Sequence, residues 1–155
     1  IMIALVSARI DEPDCENGFI LDGFPRTLAQ AKALDELLEA RGSKVDAVIE
    51  IELDDDIVVE RITGRFSCAK CDEGYHKAHK LPAVEGVCDV CGSTEFVQRA
   101  DDSEEKIRTR LALYHEQTAP ILPYYEKRGI LRSVDGTKDS DDVTGQLKEV
   151  LASVN

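Results

Sequence analysis

The sequence predicts an α/β chain with a small metal-binding insert, and two observations carry that reading. Helical and strand periodicities alternate along the chain, with an apolar strand running into a tight turn at residues 18–27, GFILDGFPRT. Four of the five cysteines stand as Cys68-x2-Cys71, sixteen intervening residues, then Cys88-x2-Cys91. That spacing matches two knuckles presenting four sulfurs to one Zn²⁺. Disulfides are the alternative, disfavoured by the paired short spacings and by the lack of a secretory signal.

The elements follow in order. Residues 1–10 read as an amphipathic helix, with Ile1, Ile3, Ala4, Leu5, Val6 and Ile10 apolar. Phe19, Ile20 and Leu21 form an apolar strand ending at Asp22, and Gly23, Pro25 and Arg26 fill the turn. In an open α/β sheet ligands bind beyond the carboxyl ends of strands, so Asp22 and Arg26 stand where a metal or an anion would sit. Glycine permits close backbone approach, proline stiffens the turn, and arginine offers a fork matched to phosphate oxygens. An ordinary strand-to-helix turn with a surface arginine is the other reading. Thr27 and Gln30 make a capping box before Leu28, Ala31, Leu34, Leu37 and Leu38, and Gly42 closes that helix.

Residues 47–53 (AVIEIEL) alternate as a strand, and residues 54–64 read as a helix. Arg61 and Arg65 are four apart, which puts them on one helix face within reach of one phosphate, or makes them two solvated arginines. Gly74, Gly86 and Gly92 suit turns in the insert, where zinc would supply folding energy that some thirty residues lack. His76 and His79 are poorly placed as substitute ligands and read as surface or nucleotide-contacting residues, while Cys15 is a lone thiol, buried or half-buried. Arg99 to Asp102 would open a long return helix, with Asp102 and Glu105 capping it and Arg99 and Arg110 about three turns apart. Pro120 and Pro123 bend or end that helix, residues 130–134 form the last strand, and residues 141–154 the last helix.

Composition bounds the partners. The 155 residues carry 19 Lys and Arg against 31 Asp and Glu, a formal charge of -12, with 43% hydrophobic residues, enough for one principal core. Without a basic stripe or stacking aromatics, the acidity argues against a nucleic-acid surface. No apolar run reaches membrane-spanning length. A nucleotide enzyme of this charge must concentrate its cations, as Arg26, Arg61, Arg65, Arg99, Arg108 and Arg110 would.

The run Leu21-Asp22-Gly23-Phe24-Pro25-Arg26 resembles the monophosphate-binding signature of the adenylate kinases, and the similarity extends from Arg9 through the cysteine insert to residues 129–139, GILRSVDGTKD. The resemblance implies a P-loop NTPase-like parallel sheet flanked by helices, its N-terminal part missing, with a zinc-binding LID insert. It divides the chain into a partial core (1–64), the LID (65–99) and the rest of the core (100–155). It implies reversible phosphoryl transfer from MgATP to AMP, giving two ADP, by a monomeric cytoplasmic enzyme. By resemblance, Gly23, Phe24, Pro25, Arg26 and Gln30 bind AMP, the resemblance favouring that role for Gln30 over the competing one of cap partner. Arg61, Arg65, Gly74, Tyr75 and Lys138 (with Gly136) would bind ATP, though turn and packing roles explain Gly74 and Tyr75 as well. Arg99 and Arg110 would hold the moving phosphoryl and the AMP phosphate, and Asp22 would hold Mg²⁺ through water. No G-x-x-x-x-G-K-S/T phosphate loop occurs. Comparison with the family therefore predicts that roughly the first third of a complete enzyme is absent and that the chain alone is inactive. A kinase acting on another nucleoside monophosphate and a non-catalytic zinc-binding fragment are the rival readings.

Overall fold

The structure, a computed structural model, describes residues 1–154. Helices α1 (Met2–Ile10), α2 (Leu28–Glu39), α3 (Asp55–Gly64), α4 (Glu104–Leu113), α5 (Leu122–Glu126) and α6 (Ser140–Ser153) are interleaved with strands β1 (Val48–Glu52), β2 (Arg65–Cys68), β3 (Gly74–His76), β4 (Phe96–Val97) and β5 (Leu131–Asp135). They form two compact units. One comprises Ile1–Glu52 with the chain from Leu113 onward, and the other Leu53–Ala112.

In the first unit β1 and β5 pair in parallel, Val48 opposite Leu131 through Glu52 opposite Asp135. Parallel strands need helical cover, which α2, α5 and α6 supply. Ala31, Ile121 and Tyr125 form the buried centre, flanked by Val48, Ile130 and Leu131. The apolar positions of α2 recur at helical spacing, and Ala31, Leu34 and Leu38 are all buried. Its end is fixed by Gly42 at φ +68°, with the Ser43 N–H donating to Leu38 O and the Gly42 N–H to Glu39 O. Left-handed backbone at that point satisfies two terminal carbonyls. Arg41 then forks onto Asp11 with two 2.9 Å bonds, tying α2 to the chain just after α1.

One expectation is corrected here. Residues 19–21 are not a strand: Ile20 is 81% exposed, and no described segment pairs with this backbone. Sequence pattern reports suitability for a sheet, whereas a strand exists only beside a ladder partner. Beyond α4 the chain makes a π-type turn over Tyr114–Thr118 and a 3₁₀ turn over Ala119–Ile121 before α5, accommodating the missing N–H groups of Pro120 and Pro123.

Gly136 follows β5 and must remain glycine for lack of space. A Cβ there would lie 2.7 Å from Ile51 Cγ2 and 2.8 Å from Glu52 O, the carbonyl that the Gly136 N–H itself meets at 2.9 Å. Gly136→Ala is expected to lower stability by about 1–3 kcal/mol. An unchanged urea midpoint would contradict this packing.

The second unit contains the cysteine insert between α3 and α4. Its antiparallel sheet has the order β3-β2-β4, with Arg65 opposite His76 and Cys68 opposite Phe96. Phe66, Tyr75 and Phe96 pack with ring centroids 5.5 to 5.6 Å apart. The sheet also caps α3, because Gln98 Nε2 donates to Thr63 O at 2.7 Å and the Lys77 N–H to Gly64 O at 2.9 Å. Those carbonyls would otherwise be unpaired helix-terminal acceptors.

Candidate functional site

The turn at residues 22–27 is built by local hydrogen bonding. Thr27 Oγ1 accepts the Gln30 N–H at 3.2 Å, while Gln30 Oε1 accepts the Arg26 N–H at 2.8 Å. This is the capping box displaced by one residue, since the glutamine reaches the residue before the cap. Thr118 Oγ1 donates to Arg26 O at 2.9 Å, so a second element braces the turn. Gly23 adopts φ +71°, and a Cβ there would stand 2.9 Å from Arg26 Nη2. The Arg26 side chain curls back and donates Nε–H to Gly23 O at 2.7 Å. Among the described residues no carboxylate pairs with Arg26, and both Arg26 and Asp22 are exposed.

The arginines of the second unit are arranged differently from the expected helical faces. Arg61 lies on α3, but α3 ends at Gly64 and Arg65 is already extended at the start of β2. Pairing with His76 draws Arg65 into the sheet, so the four-residue helical spacing does not apply. Likewise α4 begins at Glu104, leaving Arg99, Asp101 and Asp102 ahead of it. Arg99 and Arg110 therefore do not share a helix face, and Asp102 is not a cap. The Asp102 side chain is fully buried and receives Arg65 Nε–H at 2.6 Å and Nη2–H at 2.7 Å. A buried carboxylate needs such a partner more than a helix end needs a cap, because an unpaired buried charge is far more costly. Arg99 is exposed, and Arg110 lies 4.0 Å from Asp101.

The four cysteines of the insert converge, their sulfurs all within 4.8 Å of one another. Cys68 and Cys91 Sγ are 3.5 Å apart, and Cys71 and Cys88 Sγ 3.6 Å. Tetrahedral thiolates around zinc have sulfurs ~3.8 Å apart, given a ~2.3 Å Zn–S bond, so the set fits one metal ion. Two matching turns build it. The Asp72 N–H donates to Cys68 O and the Gly92 N–H to Cys88 O, while the Cys68 and Cys88 N–H groups donate to Glu73 O and Ser93 O. The left-handed residue of the first turn is Asp72 (φ +59°), where glycine was expected to serve, and of the second Gly92. Tyr75 is buried with its hydroxyl on Cys88 Sγ at 3.4 Å, so its side chain faces the cysteines. Hydrogen bonding from Tyr75 pulls the Cys88 thiol down to about 6.

A family model described as adenylate kinase matches residues 1–130. An adenylate kinase of Zymomonas mobilis is 55% identical over 151 residues, covering 97% of this chain and 68% of that protein. Adenylate kinases of Paramagnetospirillum magneticum and Allorhizobium ampelinum are 53% and 50% identical, with 70% and 71% of their lengths covered. The chain belongs to the adenylate kinase family.

Membership makes it a phosphotransferase by family and accounts for the mixed α/β fold with a parallel sheet. No helix among the described residues is long and apolar enough to cross a membrane. The remaining site residues of this adenylate kinase family chain fall as follows. Gly74 opens β3 and is exposed. Lys138 lies 3.8 Å from Asp135 and beside an open depression also lined by Asp141, Asp142, Gln146 and Glu149. Cys15 is half-buried, with Arg9 Nη1 3.1 Å from its sulfur.

One cluster had no local signature in the sequence. Glu60 meets His79 Nε2 at 3.2 Å and His76 Nε2 at 3.9 Å, and the two rings stack at 4.6 Å. His76 Nδ1 accepts N–H groups of Ala78 and His79 at 3.1 and 3.2 Å, which leaves the ring proton on Nε2, facing Glu60. In that tautomer the Nε2 lone pair is not available to a metal, so the trio is a hydrogen-bonded clamp.

The Arg65–Asp102 pair carries a pH prediction. The Arg65 hydrogen bonds hold the Asp102 carboxyl below its usual range. A depressed folded-state value contributes stability above the unfolded value and loses it as pH falls through the folded one. Asp102→Asn is therefore expected to cost about 1–3 kcal/mol at pH 7. The difference from the unsubstituted chain should close as pH drops below about 4. Urea melts from pH 7 to 3 check this, and a constant difference would contradict it.

Proposed function

We propose that this chain carries the acceptor site and phosphoryl clamp of an adenylate kinase, transferring the γ-phosphoryl of MgATP reversibly to AMP and giving two ADP. The observation that carries this reading is the intact signature turn, whose Arg26 has no carboxylate partner among the described residues and whose Gly23, lacking a Cβ, lets the Arg26 guanidinium lie against the backbone. Phosphoryl transfer needs little covalent chemistry from a protein. Positioning and cationic stabilisation of the phosphoryl oxygens supply most of the rate.

The chain's residues divide the work. Gly23, Phe24 and Pro25 shape the AMP cradle, and Arg26 forks onto its phosphate. Gln30 spends Oε1 on the Arg26 N–H and keeps its amide NH₂ for the base. Asp102 takes Arg65 Nε and Nη2 side-on, which leaves Nη1 to donate to an ATP phosphate. Arg61 contributes on the ATP side, as do Gly74 and the main chain at Tyr75, and Lys138 with Gly136 lines the ATP base. Arg99 and Arg110 take the moving phosphoryl group. Asp22 holds Mg²⁺ through water, and the ion supplies charge neutralisation between the phosphates.

Cys68, Cys71, Cys88 and Cys91 hold a structural Zn²⁺, with four protein ligands and none left for water. Residues 65–99 act as a LID over ATP, inserted between core segments 1–64 and 100–155. Thiolates gathered on a metal suit a reducing compartment, and we place the enzyme in the cytoplasm as a monomer.

The test is acceptor choice. An active enzyme containing this chain is expected to form ADP from MgATP and AMP at about 1–100 per second. It should act far more slowly with GMP, CMP or UMP. Equal turnover of another monophosphate would assign a different base specificity, and no turnover of any would remove the kinase reading.

A further inference from the structure

The Tyr75 hydroxyl has a placement that its proposed nucleotide role does not explain. Tyr75 is 3% exposed in β3, its ring stacked on Phe66 at 5.6 Å and met edge-on by Phe96 at 5.6 Å. This packing aims the phenol at the second cysteine turn, thirteen residues away. The phenol O–H donates to Cys88 Sγ at 3.4 Å, and its oxygen accepts the Asp89 N–H at 2.8 Å. Cys88 is itself only 2% exposed, so the bond lies where water does not compete. The two cysteine turns otherwise repeat one another in their main-chain bonds.

We propose that Tyr75 is an outer-shell positioning residue of the metal site, its phenol holding the Cys88 sulfur and slowing release of the bound ion. The proposal rests on the reading of the four cysteines as a zinc site. Four thiolates around one Zn²⁺ leave two net negative charges on the centre, in a chain that is already acidic. A hydrogen bond to sulfur disperses part of that charge. It also fixes the direction of the ligand lone pair, which is how outer-shell partners set metal affinity in general. The Asp89 N–H orients the phenol in turn, so a main-chain donor beside the ligand and the ligand sulfur are joined through one oxygen.

Tyr75→Phe tests this with little disturbance, since the ring and its two aromatic contacts remain. Both proteins should bind about one Zn²⁺ per chain. Competition with a chelator should show affinity weakened about 10- to 100-fold in the variant, with faster metal transfer. With Co²⁺ in place of Zn²⁺, the sulfur-to-metal charge-transfer band should move to lower energy, because the Cys88 lone pair loses its donor. Equal chelator competition and an unshifted band would overturn the proposal. Failure of the unsubstituted chain to bind stoichiometric metal would instead overturn the zinc reading beneath it. If the variant does not fold, ¹¹³Cd-loaded unsubstituted protein decides. A slowly exchanging Tyr75 hydroxyl proton coupled to the metal through Cys88 supports the bond, and its absence overturns it.

Discussion

Arg26→Lys, made in an active enzyme that contains this chain, is expected to lower phosphoryl transfer to AMP at least about a hundredfold, because a misplaced acceptor loses much of the orientation contribution. Lysine keeps the charge but loses the planar fork, which on our reading is what grips the phosphate. Stability should change little, since the guanidinium is exposed and its side-chain hydrogen bond runs to Gly23 O within the turn. Steady-state kinetics with varied AMP and a thermal melt of the same preparation make the comparison. Near-normal activity would take Arg26 out of the site, whereas a variant that melts much lower would make it a structural turn residue.

Cys68→Ser is expected to abolish tight metal binding, with zinc falling from about one per chain to a small fraction. The lost ligand is buried, and the serine hydroxyl would be left beside Cys91 in the small aromatic core. Structural zinc contributes about 10–16 kcal/mol of apparent binding free energy in small metal-dependent domains, far more than three aromatic rings can replace. Amide exchange should therefore lose its protection across residues 65–97 while the α2 core of the first unit keeps its own. A Cys68→Ser chain that retains one tightly held zinc would exclude a four-cysteine site.

Where information was local, the sequence was readable. The α2 stripe of Ala31, Leu34 and Leu38 is buried at the expected spacing, Gly42 ends that helix, and the alternation in residues 47–53 appears as β1. The two Cys-x2-Cys pairs meet because each pair is a self-contained turn of main-chain bonds, and a metal reads only where four sulfurs lie. Apart from the strand expected at residues 19–21, the errors lie where a helix is extended past its end. Arg65 and Arg99 were assigned helical directions, yet pairing of β2 with β3 begins at Arg65, and α4 starts five residues after Arg99. Helix periodicity extrapolates a direction only as far as the helix runs.

By itself, the sequence determined the α/β class, the family, the signature turn and the four-sulfur set, because each depends on residue types at short fixed separations. Tertiary structure alone decided that Asp102 receives Arg65, that Tyr75 turns to Cys88, and that Glu60 meets His76 and His79. These partners stand between 13 and 37 residues apart, or at 16 and 19 for Glu60. For the first two the reason is burial: once folding removes water from Asp102 and the Tyr75 phenol, each must find its hydrogen-bond partner among whatever groups the packed chain brings near.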